Sequence, residues 1–355
     1  MGGSYSGIRG RRGFTLLTTG ACAIAILGIV GLAVDLGRVY VVKNEMQAYT
    51  DSAALAAAVE LDGTAAGISR AQTAVANNTN RWNLGTATFS GTETQFATDV
   101  GGPWEASPAS AANVRFVRVR ASGNVSLLFL PAVSTTSSSN VSAISVAGQV
   151  AKQNFREGLF PFSPLAHNST PPDFGFTPGQ WYTLRWPSNP KVNNNVCPGD
   201  NEQQWVDLAD ADSSSERGYI EETSSAVIRM AIEQDYMSNT LTIGQPVEMT
   251  GGNKQTQRDS IINRINQDTD PTSTSYAQYE AGDAGNGRRL VVVAINTGHP
   301  NNIVLGFHLF FLLHPSEYTS GGNRPFCAEY VGPYVQGSRR KGAGGAGAYV
   351  VRLVQ

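Results

Sequence analysis

Residues Phe14 to Val34 (FTLLTTGACAIAILGIVGLAV) hold no charge and no proline, and this run constrains the chain more than any other. At a rise of 1.5 Å per residue, a helix of this length crosses the ~30 Å hydrocarbon layer of a bilayer. Arg9, Arg11 and Arg12 precede the run and Asp35 follows it. The positive-inside rule therefore predicts a cytoplasmic amino-terminal side and an exported remainder. A cleaved signal peptide has an apolar core of only ~7–15 residues before a small-residue cleavage site. This run is longer, and VDLGRVY after it offers no clean site. Cys22 does not mark a lipoprotein site, because the apolar run continues well past it.

The helical pattern does not stop at the membrane boundary. Val39, Val42, Met46, Tyr49, Ala53 and Ala56 recur at alternating three- and four-residue steps, which predicts a seam facing a partner helix or the protein's own body. Asp51 to Glu60 is nearly all alanine, the strongest helix former and one that permits close packing. Asp62-Gly63 ends the run, and Thr64 to Asn78 is expected to fold back as a second helix. Within the apolar span, Ala21, Ala25 and Gly28 share one helical face. Such a stripe lets another membrane helix approach closely and would support a homo-oligomer through anchor and stalk; it is equally what a membrane helix rich in Ala and Gly carries by composition.

Four short stretches together carry a resemblance: Arg12-Gly13 before the apolar span, Val34-Asp35-Leu36-Gly37-Arg38-Val39-Tyr40 after it, Glu45-Met46-Gln47, and Asp51-Ser52-Ala53-Ala54-Leu55-Ala56. This combination resembles the amino-terminal region of the TadE/TadG-like family of Tad (Flp) pilus-assembly proteins, over roughly the first 80 residues. Gly13, Asp35, Gly37, Tyr40, Gln47 and Asp51 are the positions that match its motif. The resemblance implies a bacterial envelope protein, held in the inner membrane by this helix and associated with the machinery that builds or displays Flp pili. The family often has Gln-Asn or a similar pair and then Ala-Asp-Ala-Ala-Ala, where this chain reads Gln47-Ala48-Tyr49-Thr50-Asp51-Ser52-Ala53. Larger TadG-type proteins also carry a von Willebrand A domain, whose Asp-x-Ser-x-Ser motif is missing here. Gly13-Phe14-Thr15-Leu16-Leu17 is similar to the processing site of type IV prepilins, but Thr18 stands where those carry a glutamate. That departure argues against a major pilin and leaves open a minor pilin-like or adhesin-like subunit cut after Gly13.

Charged residues make up only 15% of the chain, and Gly numbers 38. This balance suits an exported, strand-rich protein better than a cytosolic helical enzyme. The net charge of -2 implies no general affinity for nucleic acid. Alternation in Phe116 to Ala121 (FVRVRA) predicts a half-buried strand with Arg118 and Arg120 outward. Asn124 to Pro131 and Asn140 to Val150 are expected as further strands. Texture changes near residue 152, after which Trp181 to Trp186, Trp205 to Leu208 and Tyr349 to Val354 read as strands, and Ser225 to Met237 and Asn253 to Asp268 as helices. Arg289 to Asn296 and Ile303 to Leu313 are apolar on both faces and should be central, buried strands. Of the three cysteines, Cys197 and Cys327 fall in this region and form either a disulfide, if it lies in an oxidising compartment, or two separate buried thiols.

The expected architecture is therefore α+β: a basic leader (1–13), a transmembrane helix (14–34), a helical stalk (35–80), a β-rich segment (81–151) and a β-rich domain with helices (152–355). No nucleophile elbow, Cys-His pair, phosphate loop or HExxH motif occurs. Asp207, Asp210 and Asp212 lack the central glycine and terminal glutamate of a calcium loop. His299, His308 and His314 lack a carboxylate or cysteine at ligand spacing. The expectation is a protein without catalytic, metal or cofactor sites that works by assembly with other pilus or secretion components. An exported hydrolase is the least favoured alternative.

Overall fold

The computed structural model describes residues 9–78, 91–132, 134–186, 196–200, 216–222, 224–235, 237, 239–252, 254, 256–282, 284–320, 324–343, 345 and 347–354. Helix α1 (Arg9–Val59) is continuous and is followed by α2 (Ala65–Asn77). Then come β1 (Glu93–Ala97), β2 (Phe116–Ser126), β3 (Ser138–Ala151), β4 (Asn154–Phe155), β5 (Trp181–Arg185) and β6 (Glu216–Ile220). Helix α3 (Ser225–Gln234), β7 (Leu241–Thr242), β8 (Met249–Gly251), α4 (Gln257–Asn266) and α5 (Tyr276–Ala281) follow. The remaining strands are β9 (Leu290–Asn296), β10 (Val304–Leu312), β11 (Phe326–Gly332), β12 (Tyr334–Val335) and β13 (Ala348–Leu353). A long apolar amino-terminal helix followed by a β-rich region with a few helices is an α+β arrangement.

At 51 residues, α1 extends for about 75 Å. From Gly13 to Val30 its side chains lie almost wholly exposed, including Phe14, Leu16, Leu17, Leu27 and Ile29. It is long and apolar enough to cross a membrane. Beyond Val34 the same helix lies across a five-stranded sheet ordered β1-β2-β3-β13-β12. Val117, Val119, Ala121 and Val125 of β2, with Val141, Ala143 and Ala147 of β3, turn one face of that sheet toward it. Period-two alternation thus forms the layer under α1, and Arg118 and Arg120 point the other way, as the pattern in FVRVRA predicts.

The 124–131 stretch differs from expectation. Strand β2 itself runs on through Ser126, after which residues 127–132 leave the sheet and end in a short 3-10 turn, Leu130–Ala132. The amides that a further strand would pair are taken by a carboxylate of α1, as described below. A second surprise is that β13, from the 152–355 region, pairs antiparallel with β3 from Tyr349↔Ala151 to Leu353↔Ala147. The first sheet therefore draws strands from both sides of residue 152.

The second sheet is four-stranded and ordered β5-β11-β10-β9. Its core joins Val291, Val293, Ile295, Phe310 and Leu312 to Ile228 and Ile232 of α3 and Ile261 and Ile265 of α4. All of β9 is buried although it ends the pairing order, because the 160–166 segment covers its outer edge: Phe160 donates to the Val292 carbonyl and Ala166 to that of Asn296. Cys197 and Cys327 form a disulfide with Cα atoms 5.8 Å apart. The Cys197 N–H also donates to Thr183 Oγ1 of β5 at 2.9 Å, so segment 196–200 is fastened to two adjacent strands. The acidic stretch Asp207 to Asp212 and the strand expected at Trp205 to Leu208 lie outside the described residues.

Candidate functional site

The polar groups that could define a function by position gather where α1 meets the first sheet. Three levels can be followed up the helix from the end of the apolar span.

At the lowest level Asp35 is buried, 2% exposed, and its carboxylate accepts three consecutive backbone N–H groups: Leu128 to Oδ1 at 2.8 Å, and Phe129 and Leu130 to Oδ2 at 3.0 and 2.7 Å. Burial alone would raise its pKa, but the donors at Leu128, Leu130 and Phe129 and the positive charge of Arg38 outweigh burial, and the net shift is below the ordinary carboxylate value. One turn lower, Gly31 packs directly on Phe129; a Cβ at Gly31 would come within 2.5 Å of the Phe129 Cβ.

Midway, Gln47, Thr50 and Asp51 face Ser145 of β3. Gln47 Nε2 donates to Asp51 Oδ1 and Ser145 Oγ, both at 2.9 Å, Ser145 Oγ donates to Asp51 Oδ1 at 2.5 Å, and Thr50 Oγ1 lies 2.7 Å from Ser145 Oγ. Lys43 Nζ also bonds the Ser142 carbonyl. At the top, the side chain of Gln149 closes the helix end. Its Nε2 donates to the carbonyls of Ala58 (2.9 Å) and Leu61 (2.7 Å), and its Oε1 accepts the Ala343 N–H at 3.0 Å. The last carbonyls of a helix lack intrahelical partners, and here a buried amide supplies one.

Between these polar levels, Val42, Met46, Tyr49, Ala53, Ala54, Ala57 and Ala58 form the buried stripe, with Val39 half-buried beside it. Ala56 is exposed and stands outside it. A straight helix lying on a sheet has 3.6 residues per turn, so a strict 3.5-residue repeat drifts off the covered face and Ala57 and Ala58 occupy it instead. Of the motif positions, Asp35 bonds the β2–β3 loop and Gln47 and Asp51 bond the sheet and one another, while Gly13, Gly37 and Tyr40 are exposed. Within the apolar span Ala21 and Ala25 are exposed and Gly28 is half-buried. Ser145 and Gln149 escaped sequence reasoning, although a signal was present: both share the parity of Val141, Ala143 and Ala147, so two polar residues sit on the core-facing side of a strand.

The histidines do not converge. His308 is buried and its Nδ1 lies 2.8 Å from Tyr330 Oη, which donates to Asp173 Oδ1 at 2.6 Å. Burial pushes the His308 ring down to about 3, so it is neutral at physiological pH. It borders a cavity of about 220 Å³ whose lining carries no serine, threonine or cysteine side chain among the described residues. His314 Nδ1 bonds Ser316 Oγ at 2.8 Å in a surface turn. No cluster of three or more metal-ligating side chains occurs among the described residues.

Fold and junction together define a β-rich body locked onto the carboxy-terminal half of a long helix whose amino-terminal half is exposed, apolar and long enough to cross a membrane. Residues 13–60 match the model of the family described as putative Flp pilus-assembly TadE/G-like, the anchor region in which the sequence shows its resemblance. The match ends at the top of α1 and spans Asp35, Gln47 and Asp51. Searches of curated proteins and of solved structures find no match.

Proposed function

We propose that this protein is a membrane-tethered envelope component of a Tad-type pilus or secretion apparatus, acting by assembly with other pilus components and not by catalysis. The observation that carries this reading is the family match over residues 13–60. In this reading α1 crosses the bacterial inner membrane, the Arg9, Arg11 and Arg12 side stays in the cytoplasm, and the β-rich body stands in the periplasm or beyond. The Cys197–Cys327 disulfide supports export, since such bonds persist in oxidising compartments. The three-level junction gives the body a fixed attitude on its tether. A protein that positions other subunits needs that rigidity, whereas a flexibly linked enzyme does not.

The test is deletion of the gene in the source bacterium, with Flp-type filaments counted by electron microscopy and complementation by the wild-type chain. Loss of filaments, restored on complementation, is expected. Normal filament number in the deletion strain would overturn the assignment.

A further inference from the structure

Residues 127–132 (LLFLPA) form the tip of the β2–β3 hairpin, a place where chains ordinarily carry polar turn residues. Leu128 is 59% and Phe129 49% exposed, and no charged residue occurs anywhere between Arg120 and Lys152. The tip lies beside the apolar span: Phe129 rests on Gly31, about one helical turn, ~5 Å, inside the boundary marked by Asp35. Its N–H groups are all engaged. Leu127 N–H donates to the Ser137 carbonyl, those of Leu128, Phe129 and Leu130 to Asp35, and that of Ala132 to the Phe129 carbonyl, while Pro131 has none. Loops exposed to hydrocarbon are excluded from membranes because unbonded backbone groups are costly there, and every N–H from Leu127 to Ala132 is already bonded.

We propose that the 127–132 tip is a second membrane contact, a foot that inserts Leu128 and Phe129 among the acyl chains of the leaflet facing the β-rich body. This rests on the reading that α1 spans the bilayer. The occupant of the apolar tip is lipid because the tip is continuous with the lipid-facing surface of α1, through Gly31. The foot and the helix then give the body two attachments to one leaflet, which sets its tilt.

The test uses the full chain in nanodiscs of phosphatidylethanolamine and phosphatidylglycerol, in a Cys22→Ala background that removes the free thiol and leaves only the disulfide-bonded pair. A single cysteine at Leu128, Ile29 or Met230, all exposed positions, carries an environment-sensitive fluorophore. Nitroxide-bearing acyl chains serve as quencher. Blue-shifted emission at Leu128 with a loss of fluorescence comparable to that at Ile29, and little loss at Met230, is expected. Quenching at Ile29 without quenching at Leu128 overturns the foot while leaving the span intact. Absence of quenching at Ile29 overturns the spanning reading first. Blue-shifted but unquenched emission at Leu128 means that protein, such as a second copy, covers the tip and also overturns the proposal. A label at exposed Ala132 repeats the measurement, so that a local disturbance at Leu128 is recognised.

Discussion

Ser145 Oγ of β3 donates to Asp51 Oδ1 of α1 at 2.5 Å, across a seam whose apolar part on α1 is alanine, valine, methionine and tyrosine. Ser145 is 0% exposed and also meets Gln47 and Thr50, so it is the point where the sheet reads the polar side of the helix. Removing a buried hydrogen-bonding partner leaves its mates unsatisfied at a cost of about 1–3 kcal/mol. Ser145→Ala should lower the stability of the full chain by that amount in urea unfolding in detergent. Exposed Ser142→Ala on the opposite face should change it by less than about 0.5 kcal/mol.

The apolar part of the seam gives a directional prediction. Met46 is 0% exposed, and Met46→Ala should cost about 2–5 kcal/mol. Ala53→Leu should overpack the same face and cost about 1–3 kcal/mol. Ala56→Leu should stay within about 0.5 kcal/mol, because that position is exposed. Thermal melts of the three variants distinguish a helix lying on a sheet from one wound into a heptad seam, in which Ala56 would be as sensitive as Ala53.

The disulfide links positions separated by 130 residues. Cross-links that close long loops stabilise mainly by constraining the unfolded chain, and losing a native one costs about 2–5 kcal/mol. Paired Cys197→Ser and Cys327→Ser substitutions should lower the unfolding midpoint accordingly, and a reducing agent should reproduce the effect on the wild-type chain.

Gly31→Leu should detach the hairpin tip without unfolding the body, since even a Cβ at that position collides with Phe129. Hydrogen–deuterium exchange should show lost protection at Leu128 to Leu130, while amides of β9 and β10 remain protected.

The Asp35 bonds carry a pH dependence of definite sign. A carboxylate whose folded pKa lies below its unfolded value, ~3.9, contributes stability that is present above that value and lost as pH falls through the folded pKa. Protection of the Leu128 to Leu130 amides, corrected for intrinsic exchange, should therefore persist at pH 5 and disappear only below about pH 4. Asp35→Asn should weaken that protection at neutral pH and abolish its pH dependence.

Residue types and spacings made much of this architecture legible. The apolar run, the alanine-rich stalk, the alternation in FVRVRA and the two strands apolar on both faces all carry their pattern on the surface of the sequence. What could not be read was which long-range partner each polar group would find. Asp35 was visible as a motif position, but its role depends on three amides more than ninety residues away. The LLFLP stretch has a strand's composition and becomes a loop because that carboxylate competes for its amides. Gln149 likewise reads as an ordinary strand residue until a helix end is set against it. Local periodicity reports on faces, and these contacts are decided by tertiary geometry.

The placement of β13 beside β3 sets an order of events. During synthesis β2 and β3 emerge close together, but the other edge of β3 has no partner until everything between β3 and β13 in sequence, including the whole second sheet, has emerged. Nonlocal pairings of this kind form slowly. An open strand edge invites pairing with other chains, so the interval before β13 arrives is the period in which this protein is most exposed to misassembly.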